Sequence, residues 1–312
     1  MSETPPESDP SAPDSPAPAR AAAAGERVRF RVIGLEDGMT LRQLLGRRLG
    51  LAVGPASDLI RAGGVYIGNV RTCIPTLRVR EGERVTVYRG ASAAEPLDPD
   101  GLVIVHHDAH CVVVDKPHGV PAAATREGSR GALSHALVQR LARDGVLRPY
   151  VGQVFALDPA AAGLVLFTVR GQDSASFFRR FAELDALRVY RARLSGHVRN
   201  DLVCETPLVT TASGARLARA DERAASPART AFVPLAAGAD ATLVEVELRR
   251  APTEQISLHA QALGHPLVGA AGAGQVLELA CVRVAFVHPI SGQTIDVRAA
   301  LPSWAEPGAP TD

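Results

Sequence analysis

Lysine is almost absent from this chain. Lys116 is the single lysine among 34 basic side chains in 312 residues, so arginine carries nearly all of the positive charge. Cysteine is scarce too. The four present (Cys73, Cys111, Cys204, Cys281) are widely spaced with no Cys-x-x-Cys pair, which argues against a zinc ribbon or a disulfide framework and fits a reducing compartment. No N-terminal basic cluster precedes an apolar run, so no secretory signal is expected. No apolar stretch approaches the roughly 20 residues of a membrane span. The net charge is only +1 and indicates no partner by itself. The expectation is a soluble, cytoplasmic, monomeric protein without membrane association.

What is present is 46% hydrophobic residues, enough for a core in one medium domain and one small one. Residues 1–25 are Pro, Ala, Ser and acidic residues. They cannot bury enough surface to offset their ordering entropy and are expected to be a disordered tail. From 26 to 90 the character changes. Thr40 with Gln43 predicts a capping box opening a helix with Leu41, Leu44, Leu45 and Leu49 on one face. A second short helix is expected near Ser57–Ala62, then short strands around Val65–Ile67 and Val85–Val87 with a turn at Gly68-Asn69. This segment holds twelve arginines against six acids, whereas residues 91–312 hold 21 basic and 23 acidic residues. Arg47, Arg48 and Arg61 thus sit in the part that carries the excess positive charge, the footprint of a phosphate-backbone contact. An ordinary arginine-rich surface is the competing explanation.

The run of two short helices, "IRAGGVYIGN" and "VREGERVTVY" resembles the small RNA-binding domain first described in ribosomal protein S-four. That domain often precedes the catalytic domain of pseudouridine synthases. The usual Val-x-Val-Asn-Gly is here Val65-Tyr66-Ile67-Gly68-Asn69, with the polar turn residues in the opposite order.

An Ala/Glu/Pro/Asp linker spans 91–100, and the second domain occupies 101–305, followed by a short tail over 306–312. Strands are expected at 102–105, 163–169, 188–194 and 242–248, and helices at 174–184 and 254–263. Strands and helices without strict alternation predict an α+β fold with a mixed, largely antiparallel sheet.

Within "IVHHDAHCVVVDKPHGVPAA", His106, His107 and His110 suggest a metal site at first sight. A strand sends His106 and His107 to opposite faces, and no carboxylate or cysteine set is expected to complete a coordination sphere, so no metal is expected. In "VFALDPAAAGLVLFTV", Asp158 lies in a loop ahead of an apolar strand. It reads either as a turn aspartate before Pro159 or as a nucleophile at the mouth of a sheet.

Together these segments resemble the RluA-like RNA pseudouridine synthases. Lys116-Pro117-x-Gly119-Val120-Pro121 matches the family's Lys-Pro-x-Gly-x-Pro turn. Leu157, Asp158, Gly163 and Leu164 match its His-Arg-Leu-Asp-x-x-Thr-Ser-Gly-Leu motif, with Phe155, Ala156, Ala161 and Ala162 as departures. Arg188, Tyr190 and Ala192 stand in its Lys-x-Tyr-x-Ala strand. Thr253, Gln255, Ile256, His259, Gly264, His265, Pro266 and Gly269 fit its later motif, while Glu254 and Ser257 replace a His and an Arg.

The resemblance implies RNA as partner, ribosomal or transfer, with no cofactor and no metal. Asp158 is the implied catalytic carboxylate, with Tyr190 packed against the target base. Lys116, Arg47, Arg48, Arg61, Arg188, Gln255 and His259 are the residues expected to meet substrate or RNA. In the family an arginine at the Ser257 position pairs with the catalytic carboxylate, and a hydroxyl does not replace a guanidinium. Asp158 is therefore expected to be a weaker nucleophile unless another arginine, such as Arg249 or Arg250, reaches it. An inactive RNA-binding relative is the alternative reading.

Overall fold

The computed structural model describes residues 27–88, 96–123, 131–182, 186–211, 214–219, 221–248, 254–270 and 276–307. The 1–25 tail, positions 91–95 of the linker, Leu184, Arg249, Arg250 and Ala251–Thr253 lie outside these residues.

The N-terminal sheet is built from β1 (Arg27–Arg31), β2 (Val65–Ile67), β3 (Val70–Thr72) and β4 (Arg84–Tyr88), ordered β1-β4-β2-β3. Helices α1 (Leu41–Leu49) and α2 (Val53–Arg61) cover one face. Leu41, Leu44, Leu45, Ile60, Val65, Val85 and Val87 form a separate core there. The Thr40 amide donates to Gln43 Oε1 at 3.0 Å, so α1 starts where the capping box predicts. The β2–β3 hairpin pairs Ile67 with Val70 across Gly68-Asn69, and Gly68 has φ of +61°. α2 begins four residues earlier than expected. Pro55 falls in its first turn, where no intrahelical N–H is needed.

The larger sheet comprises β5 (Val103–His107), β6 (Cys111–Lys116), β7 (Gly152–Gln153), β8 (Ala162–Thr168), β9 (Leu187–Ser195), β10 (Leu202–Cys204), β13 (Thr230–Ala237), β14 (Ala241–Leu248), β15 (Leu279–Val287) and β16 (Thr294–Arg298). A hairpin of β11 (Leu208–Thr211) and β12 (Gly214–Leu217) stands apart from it. Helices α3 (Leu133–Arg143), α4 (Ser174–Ala182) and α5 (Gln255–Ala262) complete this part.

The main path runs β10-β13-β14-β9-β15-β8-β6-β5. Among the described residues only β8 and β15 pair in parallel, so the fold is α+β with a mixed, largely antiparallel sheet. α3 was not foreseen, although Leu133, Leu137 and Leu141 recur at helical spacing and are buried.

The parallel contact needs a glycine. Gly163 sits at φ +101° opposite Cys281, and a Cβ there would lie 2.2 Å from the Cys281 carbonyl oxygen. Cys281 pairs with Gly163 on one side and with Tyr190 on the other, which aligns three strands in one row.

Candidate active site

Asp158 occupies the turn that leads into β8, five residues before Gly163. Its Oδ1 accepts the Ala160 amide at 2.8 Å, and its carbonyl accepts the Ala161 amide at 3.0 Å. The turn reading and the nucleophile reading are thus compatible. One carboxylate oxygen fixes the turn, while Oδ2 makes no hydrogen bond among the described residues.

Lys116 is 1% exposed and donates to the carbonyls of Val120 (2.8 Å), Pro159 (3.0 Å), Pro117 (3.1 Å) and Ala161. Two of these carbonyls, those of Pro159 and Ala161, belong to the turn just after Asp158. Burial lowers the Lys116 ammonium to about 8, while the Asp158 charge acts in the opposite sense. The expectation that Lys116 meets RNA is therefore corrected. It clamps the Asp158 turn from inside and supplies a cation near that carboxylate, because its stem belongs to a strand buried on both faces.

Tyr190 is 4% exposed on the central strand β9. Burial pushes its hydroxyl well above the usual tyrosine range, with Cys281 adding to this and Arg188 opposing it. Arg188, two residues earlier on the same face, lies with its guanidinium 5.1 Å from the Phe155 ring centroid. Phe155 stacks in turn on Phe181 at 5.5 Å.

Arg188, Phe155 and Phe181 wall a cleft of about 380 Å³ together with Ala156, Phe178 and Gln255, and the β11–β12 hairpin closes one side through Leu208 and Thr210, while Tyr190 is buried outside its lining. Phe155 and Ala156 join the cleft directly to the Asp158 turn. The aromatic stack was not anticipated. Its one sequence signal was Phe155 standing where the family motif has a histidine.

Gln255 and His259 are also enclosed, at 1% and 0% exposure. Gln255 Nε2 donates to Arg229 O and Thr230 Oγ1. His259 binds Thr230 Oγ1 and Thr206 O, both at 2.9 Å. Burial lowers the His259 imidazole, and its bond to the Thr206 carbonyl opposes this. Both were expected to contact RNA. Instead they tie α5 to β13 and to the residues preceding β11, since every polar atom on that buried helix face needs an internal partner. Ser257 lies on the same helix and is half-buried.

The arginines on α1 and α2 divide. Arg47 and Arg61 keep 50% and 60% of their side-chain surface exposed. Arg48 turns inward, with Nε 2.7 Å from the buried Glu36 carboxylate, so its expected RNA contact gives way to an internal ion pair. Arg148 bridges the two parts of the chain, donating to Glu83 Oε1 (2.7 Å) and Arg78 O (2.9 Å). At the β5–β6 turn, His106 does not stand alone. Asp108 and Cys111 lie beside it, where the sequence suggested no carboxylate or cysteine set that would complete a coordination sphere. Strand alternation hid them, because a tight turn brings both faces together.

Residues 110–262 match the RNA pseudouridylate synthase family. An uncharacterized RNA pseudouridine synthase of Bacillus subtilis is 27% identical over 249 residues, covering 75% of this chain and 81% of that protein. The ribosomal large subunit pseudouridine synthase D of Zymomonas mobilis is 28% identical, covering 64% of this chain and 69% of its own length. The dual-specificity RNA pseudouridine synthase RluA of Vibrio vulnificus is 28% identical, covering 63% of this chain and 81% of that protein. Among solved structures, human RNA pseudouridylate synthase domain containing 1 superposes with a TM-score of 0.53 at 20% identity, covering 67% of this chain and 87% of that one, which shows the shared fold.

Proposed function

We propose that this chain, whose residues 110–262 match the RNA pseudouridylate synthase family, converts uridine to pseudouridine in structured RNA, with Asp158 as the attacking carboxylate. The observation that carries this reading is the Asp158 turn itself. Lys116 and the Ala160 amide hold it from behind, its second oxygen makes no hydrogen bond among the described residues, and Ala156, two positions earlier, lines the aromatic cleft. The reaction breaks the bond between ribose and uracil N1, turns the base, and joins the ribose to C5. The C5 proton is released and N1 gains one, so no cofactor is required. The nucleotide must leave its stack to reach the pocket. Phe155 and Phe178 offer apolar faces for the base, and Arg188 and Gln255 provide polar groups in the cleft wall.

RNA is the proposed macromolecular partner, and ribosomal RNA is the substrate favoured by the name of the Zymomonas mobilis relative. The unit from 27 to 88, with Arg47 and Arg61 outward, is proposed as a separate RNA-contacting domain.

Tritium release from ribosomal RNA transcripts labelled at uridine C5 tests the proposal. Wild-type protein should release tritium, and Asp158→Ala should lower the rate by roughly 1,000-fold or more. Ser257→Arg should raise the rate if the missing arginine limits catalysis. Salt-sensitive RNA binding with no release by the wild type from ribosomal or transfer RNA would favour the non-catalytic reading instead.

A further inference from the structure

The β5–β6 turn carries a second cluster of reactive side chains, at the end of the sheet away from Asp158. The register of β6 on β8 fixes this placement, since Lys116 pairs with Gly163 whereas Cys111 pairs with Thr168. Asp108 Oδ1 accepts the amides of His110 (2.7 Å) and Cys111 (2.8 Å). Those bonds lock the carboxylate and aim Oδ2 at three other groups. His106 Nε2 lies 3.2 Å from Oδ2, His288 Nε2 3.4 Å and Cys111 Sγ 3.7 Å. The donor atoms of His106, Asp108 and Cys111 all fall within 4.8 Å of one another. Ligand atoms bound to one tetrahedral ion at roughly 2.0–2.3 Å stand about 3.3–3.6 Å apart, close to the separations from Oδ2.

His288 supplies an independent sign of an absent partner. It is 1% exposed, and its Nδ1 accepts the amides of Ile290 and Ser291, which places the neutral ring's proton on Nε2. That atom is enclosed, faces the cluster and makes no hydrogen bond in the structure. His110, the remaining imidazole, is engaged by Asp173 Oδ2 at 2.8 Å.

We propose that His106 Nε2, Asp108 Oδ2 and Cys111 Sγ bind one divalent transition-metal ion of the zinc type, with a water in the fourth position accepting the His288 Nε2 proton. The side chains of His106 and Asp108 are 24% and 31% exposed, leaving a route from solvent, while Cys111 and His288 close the inner side. Binding releases the Cys111 thiol proton to solvent and shifts the His106 proton to Nδ1, with no change of oxidation state. Without a metal, burial and the Asp108 charge keep the thiol protonated. The ion would fasten the β5–β6 turn beside the turn that follows β15, far from the reacting end. The proposal does not depend on the enzymatic reading.

Cobalt titration of the full chain, freed of any affinity tag and stripped with a chelator, reads the site directly. One equivalent of Co²⁺ should produce a thiolate-to-cobalt charge-transfer band, which Zn²⁺ then bleaches. Cys111→Ser should abolish the band, His106→Ala should weaken binding at least tenfold, and His107→Ala on the opposite face should change nothing. Absence of the band in the wild type, or its survival in Cys111→Ser, overturns the assignment. In that case the cluster is a hydrogen-bonded hub around Asp108. His106→Ala lies at a partly exposed position and decides the matter if Cys111→Ser does not fold.

Discussion

Lys116 holds an ammonium group among four carbonyl oxygens, one residue layer behind the proposed nucleophile. Its pKa of about 8 lies below the ordinary lysine value of 10.5. Between those two values the unfolded chain binds more protons than the folded one. The cost of burying this charge is therefore fully present below pH 8 and fades as pH rises toward 10.5. Activity should respond in the opposite sense, because deprotonation removes the cation beside Asp158. Tritium release should decline above about pH 8 in the wild type. Lys116→Met should be slower and lack that alkaline limb, which a pH–rate profile will reveal. The same variant should lose roughly 1–3 kcal/mol of stability in urea melts, as buried carbonyls lose their donor.

Among the secondary-structure elements, the row through β8, β15 and β9 matters most to the site. The close approach of Gly163 to Cys281 lets β8 run parallel to β15 and puts Gly163, five residues after Asp158, in one row with Tyr190. Gly163→Ala would force a Cβ into the Cys281 carbonyl at a backbone conformation that alanine rarely adopts. The expected cost is about 2–5 kcal/mol, from overpacking plus backbone strain. Chemical denaturation measures it, and a variant within 1 kcal/mol of wild type would show that the row is not as tightly held. A buried polar network performs the matching task for α5. Gln255 and His259 share Thr230, and this anchors the helix whose first turn borders the cleft.

At the scale of the whole molecule, the helices of the N-terminal unit carry the exposed Arg47 and Arg61, and the part built on the larger sheet carries the carboxylate. Arg148 fastens one to the other through Glu83 and Arg78. Phosphate contacts release counterions, so each one contributes to the salt dependence of RNA affinity. Arg47→Glu and Arg61→Glu should each weaken RNA binding and reduce the slope of log affinity against log salt by roughly one. The rate constant at saturating RNA should stay near the wild-type value. Filter binding across a salt series, paired with single-turnover rates, separates these effects. An unchanged slope would remove both residues from the RNA-facing surface.

The sequence by itself carried the resemblance to the family, the α+β class, the capped helix at Thr40 and the place of Asp158 ahead of an apolar strand. Each of these rests on local spacing, which a linear reading captures: helical and strand periodicity, turn residues, and motif residues in order. Only the tertiary structure decided what Lys116, Gln255 and His259 do. A polar residue within a motif looks the same in sequence whether it faces RNA or an internal carbonyl, and burial depends on strands far away in the chain. The same applies to the cluster at Asp108, where His288 arrives from 180 positions downstream (288 − 108), carried there by the closing strand. Asp158 lay between these cases. Its place in the sequence marked it as a nucleophile or a turn former, and the fold showed that one oxygen makes the turn while the other makes no hydrogen bond among the described residues.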